Sequence, residues 1–266
     1  MIGALPVRLV EKPWGRDMLP PPFTAEPGRR IGEIWFEPPP ELAQLLVKFI
    51  FTSDKLSVQV HPSDAQLPGH GKEECWLVID AEPEARLGIG FRGEIGAEAM
   101  RAAALNGSIE HLLEWHPVTP GDFFYIPANT VHAIGGGISL VEVQQNSDVT
   151  WRLYDYGRAR ELHLNEGVAA ANGERYDTAR WHRLVPSRGP LTLVDGPLFR
   201  LDQVDGEVSA ELDARYGQGP MLVLPLSGPA VVDGAEIPVG ACALCRHLSE
   251  IDLVHSDVLL IAQPCQ

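Results

Sequence analysis

The chain has 266 residues, 45% of them hydrophobic and 21% charged, a balance that belongs to a folded protein with a sizeable core and excludes a disordered tail. Against 21 Lys and Arg stand 36 Asp and Glu, a net charge of -15, which argues against nucleic acid or anionic membrane as a partner and leaves room only for a local cationic site that holds a small anion. No run approaches a membrane span, the opening MIGALPVRLVEKPWG lacks a signal-peptide core, and the four cysteines, Cys75, Cys242, Cys245 and Cys265, are too few and too irregular for a disulfide framework. A cytoplasmic protein with reduced thiols is expected.

Gly (26) and Pro (23) are spread along the chain as turn punctuation, and many short segments between turns favour an all-β architecture. Residues 45–60 (LLVKFIFTSDKLSVQV) read as two β runs joined at Thr52, Ser53, Asp54 and Lys55, the pattern of a hairpin. Residues 74–80 (ECWLVID), 122–126 (DFFYI, after the turn Thr119-Pro120-Gly121) and 138–145 (ISLVEVQQ) predict three more strands. Between them, residues 97–114 are rich in Ala, Leu, Met and Glu at helical spacing and predict one helix or two short ones.

A short helix is expected over residues 164–172 (LNEGVAAAN) and a linker over 185–190 (VPSRGP). The runs LTLVDG, LFRLDQV, MLVLPLSG, AVVDGAEIPVGACALC and HSDVLLIAQP then predict a second β unit. Residues 238–244 (PVGACAL) echo 119–125 (TPGDFFY), which suggests two copies of one barrel. Only the first copy has a histidine, His132, a few residues past this point, so the site is expected there. The predicted organisation is a metal-binding domain at residues 1–165, a helical connector at 166–186 and a degenerate second β domain at 187–266.

Gln59 and His61 are two apart on an alternating run and therefore point to one face. Glu74 opens a strand and His132 follows one, so both stand at strand ends, where barrels gather functional groups. Two imidazoles, one carboxylate and one amide oxygen suit a borderline divalent ion such as zinc, with a position left for water or substrate. Two histidines and a carboxylate also describe non-haem iron sites, and spacing leaves both open. The remaining histidines, His70, His111, His116, His163, His182, His247 and His255, read as surface or packing residues, with His70 near enough to Glu74 to be a substitute ligand. Cys242-Ala243-Leu244-Cys245 lacks the second pair of a zinc ribbon and the helix of a redox motif, and reads as strand packing. Gly135-Gly136-Gly137 lacks the Lys-Ser/Thr ending of a phosphate loop and reads as a turn.

SVQVHPSD (57–64), GKEECW (71–76), PANTVHAI (127–134) and VEVQQNSDVTWRLYDYGR (141–158), preceded by KPWG (12–15) and IGEIWF (31–36), resemble in content and order the type I mannose-6-phosphate isomerases, in particular their short bacterial form. The likeness covers roughly residues 8–160. It implies an all-β tandem cupin, one zinc per chain held by Gln59, His61, Glu74 and His132, and conversion of mannose 6-phosphate to fructose 6-phosphate through an enediol. It further implies Arg152, Lys72 and Glu142 as catalytic residues and Lys48, Ser57 and Asp148 as substrate contacts, the partner being a sugar phosphate and the protein a monomer or homodimer. A patch of Lys48, Lys72, Arg152 and Arg158 would hold a phosphate dianion, although Arg158 and Lys55 read better as solvated strand-edge charges. Asn129 stands where short relatives usually have Gly, and Gly71 where longer enzymes have His. A non-catalytic sugar-phosphate binder and an iron cupin oxygenase are the competing readings.

Overall fold

The structure is a computed structural model that describes residues 3–206, 208–217 and 219–265. The first unit supplies β1 (Val7–Arg16), β2 (Ile31–Phe36), β3 (Leu45–Phe51), β4 (Val58–Val60), β5 (Glu74–Ala81), β6 (Arg86–Phe91), β7 (Leu113–Pro117), β8 (Asp122–Ile126), β9 (His132–Ile134), β10 (Ile138–Gln145), β11 (Trp151–Tyr154) and β12 (His182–Leu184). They form a seven-stranded sheet, β1-β2-β3-β10-β5-β8-β12, facing a five-stranded sheet, β11-β4-β9-β6-β7. All the pairings are antiparallel.

Residues 45–60 are not a hairpin: β3 lies between β2 and β10 in the large sheet, whereas β4 lies between β11 and β9 in the small one. Thr52 makes the crossing, its hydroxyl donating to the Gly135 carbonyl at 2.7 Å and accepting from the Ile138 N–H at 2.9 Å. The helical stretch is the second of the two expected forms, a pair of short helices. α1 (Ala97–Asn106) stops at Gly107, which adopts φ +81° as a helix terminus favours, and α2 (Ile109–Leu112) gives way to β7 at Leu113. In the connector, α3 (Leu164–Ala170) and α4 (Thr178–Trp181) are followed by β12, an edge strand against β8.

The second unit contains β13 (Leu191–Asp195), β14 (Phe199–Val204), α5 (Ala210–Tyr216), β15 (Met221–Pro225), β16 (Ala230–Val232), β17 (Ala235–Ile237), β18 (Ala243–Cys245) and β19 (Leu259–Pro264). Its sheet order, β13-β14-β19-β15-β18, repeats β2-β3-β10-β5-β8 strand for strand. The two echoing segments, in β8 and β18, therefore hold the same place. The facing layer is reduced to the hairpin β16-β17, and among the described residues nothing stands for β4, β9 or β11, the strands that carry Gln59, His132 and Arg152.

The large sheet is covered on both faces, which is why β3 reads as a nearly continuous apolar run. Leu45, Val47, Phe49 and Phe51 pack with Val141 and Val143 against Leu201, Leu222 and Leu260 of the second unit, each contributing about 1.5–3 kcal/mol by burial. The alternate residues, Ile50, Leu140, Trp76 and Val78, face Leu87, Ile89 and Ile134 inside the first barrel. On the outer side of the small sheet, Val58 and Val60 bury against Met100, Ala103 and Ala104 of α1 and Val168 of α3. Anchoring these two valines outside turns Gln59 and His61 inward. No helix among the described residues is long and apolar enough to cross a membrane.

Candidate metal centre and the cavity above it

His61, Glu74 and His132 converge in the first barrel, all buried, with one ligating atom of each within 4.8 Å of the others. Glu74 Oε2 lies 3.6 Å from His61 Nε2, and Glu74 Oε1 lies 3.5 Å from His132 Nε2, close to the roughly 3.3–3.5 Å edges of a tetrahedron around zinc. Both rings are oriented by backbone: His61 Nδ1 is 2.9 Å from the Val149 carbonyl and His132 Nδ1 is 2.9 Å from the Thr130 carbonyl. Nδ1–H donates in each case, so both Nε2 lone pairs face the centre. Burial holds His61 well below the ordinary imidazole range, with the nearby Lys72 adding to it, and burial lowers His132 against the pull of Glu74. Burial raises Glu74, but the adjacent Lys72 ammonium outweighs it and keeps the carboxyl below its ordinary value. Neutral imidazoles beside an ionised carboxylate that accepts no well-aligned hydrogen bond are the donor set of a divalent metal, and the site fits one.

Gln59 joins these three with its amide reversed. Its Nε2 lies 3.3 Å from His132 Nε2, while its Oε1 accepts from the Ser57 hydroxyl at 3.1 Å. A half-turn of the amide presents the oxygen. His70 is exposed and stands outside the cluster. Lys72, two residues before Glu74, reaches to 2.6 Å from Glu74 Oε2 and 3.0 Å from His61 Nε2.

Above this centre opens a cavity of about 340 Å³. Lys48, Ser57, Gln59, Lys72, Glu142, Asp148 and Arg152 all line it. On the large sheet, register places Trp35, Lys48, Glu142 and Trp76 in one row. Lys48 Nζ is 2.7 Å from Glu142 Oε1, Trp76 Nε1–H donates to Glu142 Oε2 at 2.9 Å, and Lys48 stacks over Trp35 at 5.1 Å. Burial would strip the Lys48 proton, but Glu142 and Glu33 outweigh it and hold the ammonium above its ordinary value. On the small sheet a second row runs His132, Gln59, Arg152. Trp76 and His132 meet edge to face at 5.3 Å and join the two rows.

The cavity also contains Lys12, Glu33 and Arg160, to which the sequence assigns no role, and His163, which reads from sequence as a surface or packing residue and instead lines the cavity. KPWG and IGEIWF held the first two as signatures without a function. Arg160 and His163 follow the last motif directly, but nothing in their spacing says that the chain folds back along β11. Arg158 is absorbed elsewhere, by Asp155 at 2.9 Å and the Lys55 carbonyl at 2.7 Å, and Lys55 pairs with Glu110.

Both departures from the family pattern have local causes. Asn129 adopts φ +71°, the left-handed region that Asn tolerates and Gly favours, and its backbone N–H holds the His61 carbonyl at 2.9 Å. At Gly71 a Cβ would meet the Asp64 backbone nitrogen at 2.6 Å, because Asp64 Oδ1 caps the N–H groups of Gly69 and Gly71. A histidine cannot occupy this position with the loop as folded.

Fold and site together define the class: a tandem cupin whose one complete barrel carries a two-histidine, one-carboxylate centre. No protein-family model matches the chain. A mannose-6-phosphate isomerase of Streptococcus mutans is 38% identical over 198 residues, which is 69% of this chain and 61% of that relative's length. The fold matches the crystal structure of the mannose 6-phosphate isomerase from Bacillus subtilis with a TM-score of 0.78 at 23% identity, over 98% of this chain and 99% of that one. A zinc-bound mannose 6-phosphate isomerase matches with a TM-score of 0.74 at 14% identity, over the whole of both chains. Within the cupin class, the chain is similar in sequence to mannose-6-phosphate isomerases, and it spans less than two thirds of the length of the curated relatives it matches.

Proposed function

We propose that this protein is a zinc-dependent aldose-ketose isomerase that interconverts mannose 6-phosphate and fructose 6-phosphate through an enediol, with one zinc per chain at His61, Glu74, His132 and Gln59. The observation that carries this reading is the position of Lys72, within hydrogen-bond reach of two members of the candidate metal set and open to the cavity. The names of the relatives and the cavity's charged lining support the same reaction.

The reaction moves one proton between adjacent carbons, so it needs a proton carrier and a stabilised oxyanion. Zinc, when bound, supplies a Lewis acid that polarises the sugar oxygens. Lys72 carries the proton at its Nζ. Arg152, next to Gln59 in the row, offers guanidinium N–H donors to the developing oxyanion. Glu142, pinned by Lys48 and Trp76, orients a substrate hydroxyl as a fixed acceptor. Ser57 and Asp148 contact the sugar from the cavity wall, and Lys48 acts through Glu142, its own charge being matched by two carboxylates. The four free cysteines support a reducing, cytoplasmic setting.

Purified, zinc-loaded protein should convert mannose 6-phosphate to fructose 6-phosphate, and a chelator should stop it. Fully metallated protein without conversion would sink the isomerase reading.

A further inference from the structure

The cavity is rich in cations, but all except one are matched by a carboxylate. Lys12 lies 3.1 Å from Glu33, Lys48 lies 2.7 Å from Glu142, Lys72 lies 2.6 Å from Glu74, and Arg160 reaches both oxygens of Asp155 at 2.6 Å. Arg152 has no carboxylate partner among the described residues, and its side chain donates only to the Glu161 carbonyl at 3.4 Å. Burial and the neighbouring Arg160 disfavour its charge, and Asp155 and Glu161 offset them only in part. An anion entering the cavity therefore finds its uncompensated positive charge at Arg152.

His163 is fastened to that same residue. The Arg152 backbone N–H donates to His163 Nδ1 at 3.2 Å, and the His163 backbone N–H donates to the Arg152 carbonyl at 2.8 Å. A ring nitrogen that accepts carries no proton, so in the neutral ring the N–H sits on Nε2. The ring lines the cavity, and Nε2 has no partner among the described residues. The pairing also extends the row on the small sheet: His132, Gln59, Arg152, then His163 capping the outer edge of β11. At about 4.8 Å per strand, the strand-paired part of the row spans roughly 10 Å from His132 to Arg152, and His163 lies beyond it. The reacting carbons and the phosphate of a hexose 6-phosphate are likewise at opposite ends of the molecule.

We infer that His163 and Arg152 form the seat for the terminal phosphate of the substrate, with the His163 Nε2–H as a specificity-determining donor to a phosphate oxygen. The identity of the anion rests on the isomerase reading, whereas the seat itself rests on the charge inventory and the fixed tautomer. Arg152 stands between Gln59 and His163 in the row, so its guanidinium meets the substrate between the reacting carbons and the phosphate.

Two variants separate this role from that of a structural cap. His163→Asn keeps an acceptor where Nδ1 stands and removes the Nε2 donor, whereas His163→Gln restores a donor near Nε2 and leaves the Arg152 N–H without its acceptor. For His163→Asn the KM for mannose 6-phosphate should rise about tenfold, as for a lost hydrogen bond to a charged group, with kcat within about threefold of the parent. The Kd of inorganic phosphate, by calorimetry on zinc-loaded protein, should weaken by the same factor. His163→Gln should stay closer to the parent in both. Unchanged KM and phosphate affinity in His163→Asn, greater damage from His163→Gln, or no phosphate binding by the parent would overturn the proposal. If the parent binds phosphate but does not isomerise the sugar, the isomerase reading fails and the calorimetry still decides the role of His163.

Discussion

Lys72 and Glu74 lie two residues apart and meet head to head, Nζ to Oε2 at 2.6 Å, both buried. The ammonium stands beside the two-histidine cluster and supplies positive charge to a carboxylate that would otherwise be buried without a counter-ion. Lys72→Met should therefore destabilise the metal-free protein by about 3 kcal/mol, the cost of leaving one charge of a buried pair unmatched. Added zinc should recover most of that loss, because the metal then balances Glu74. Urea denaturation of parent and variant, with chelator and with zinc, checks both halves; an equal loss under the two conditions contradicts the expectation.

Arg152 is half-buried in the cavity wall and contacts none of the candidate ligands through an ion pair. Its replacement should remove transition-state stabilisation and leave the centre intact. Arg152→Ala is expected to lower kcat/KM by about 100-fold or more while the metal content of purified protein stays at that of the parent. Steady-state kinetics with elemental analysis on one preparation tests this, and metal loss would make the arginine structural.

Glu33 provides a pH signature. Burial raises its carboxyl, but Lys48 and Lys12 outweigh burial and hold it below its ordinary value of 4.5. The folded state thus binds fewer protons at this position than the unfolded chain. Its stabilising contribution is complete above pH 4.5 and disappears as pH falls through the lowered folded value. The gap in stability between the parent and Glu33→Gln should be wide near pH 7 and close below pH 4.5 in urea titrations at successive pH values. A gap that persists at the lowest pH would assign the effect to packing.

Asn129 holds the loop that carries the His61 carbonyl while in the left-handed region, at φ +71°. Asn129→Gly should be nearly neutral, whereas Asn129→Val should cost about 2 kcal/mol, since a β-branched side chain is strained there. Thermal or urea unfolding of the two variants compares them directly. Equal losses would mean that the Nδ2 hydrogen bonds to Gln66 and the His61 carbonyl, not backbone conformation, fix this position.

Local order decides how much of this is written in the chain. The runs of β5, β8 and β10, the helix of α3 and the echo between β8 and β18 follow from turn chemistry and short-range periodicity, and residue types at strand ends, together with the sequence resemblance, brought Gln59, His61, Glu74 and His132 forward as a set. Alternation alone put Gln59 and His61 on one face, because the period of a strand is two wherever the strand goes. What it could not say is where a strand goes. β3 and β4 follow each other closely and alternate like a hairpin, but their partners lie in different sheets, since pairing is settled by long-range burial and not by the turn between them. The charge pattern has the same origin. Lys48 and Arg152 look alike in sequence as cavity cations, and only the register that sets Glu142 opposite Lys48, and leaves Arg152 at an edge capped by His163, makes one a neutralised bridge and the other a free charge.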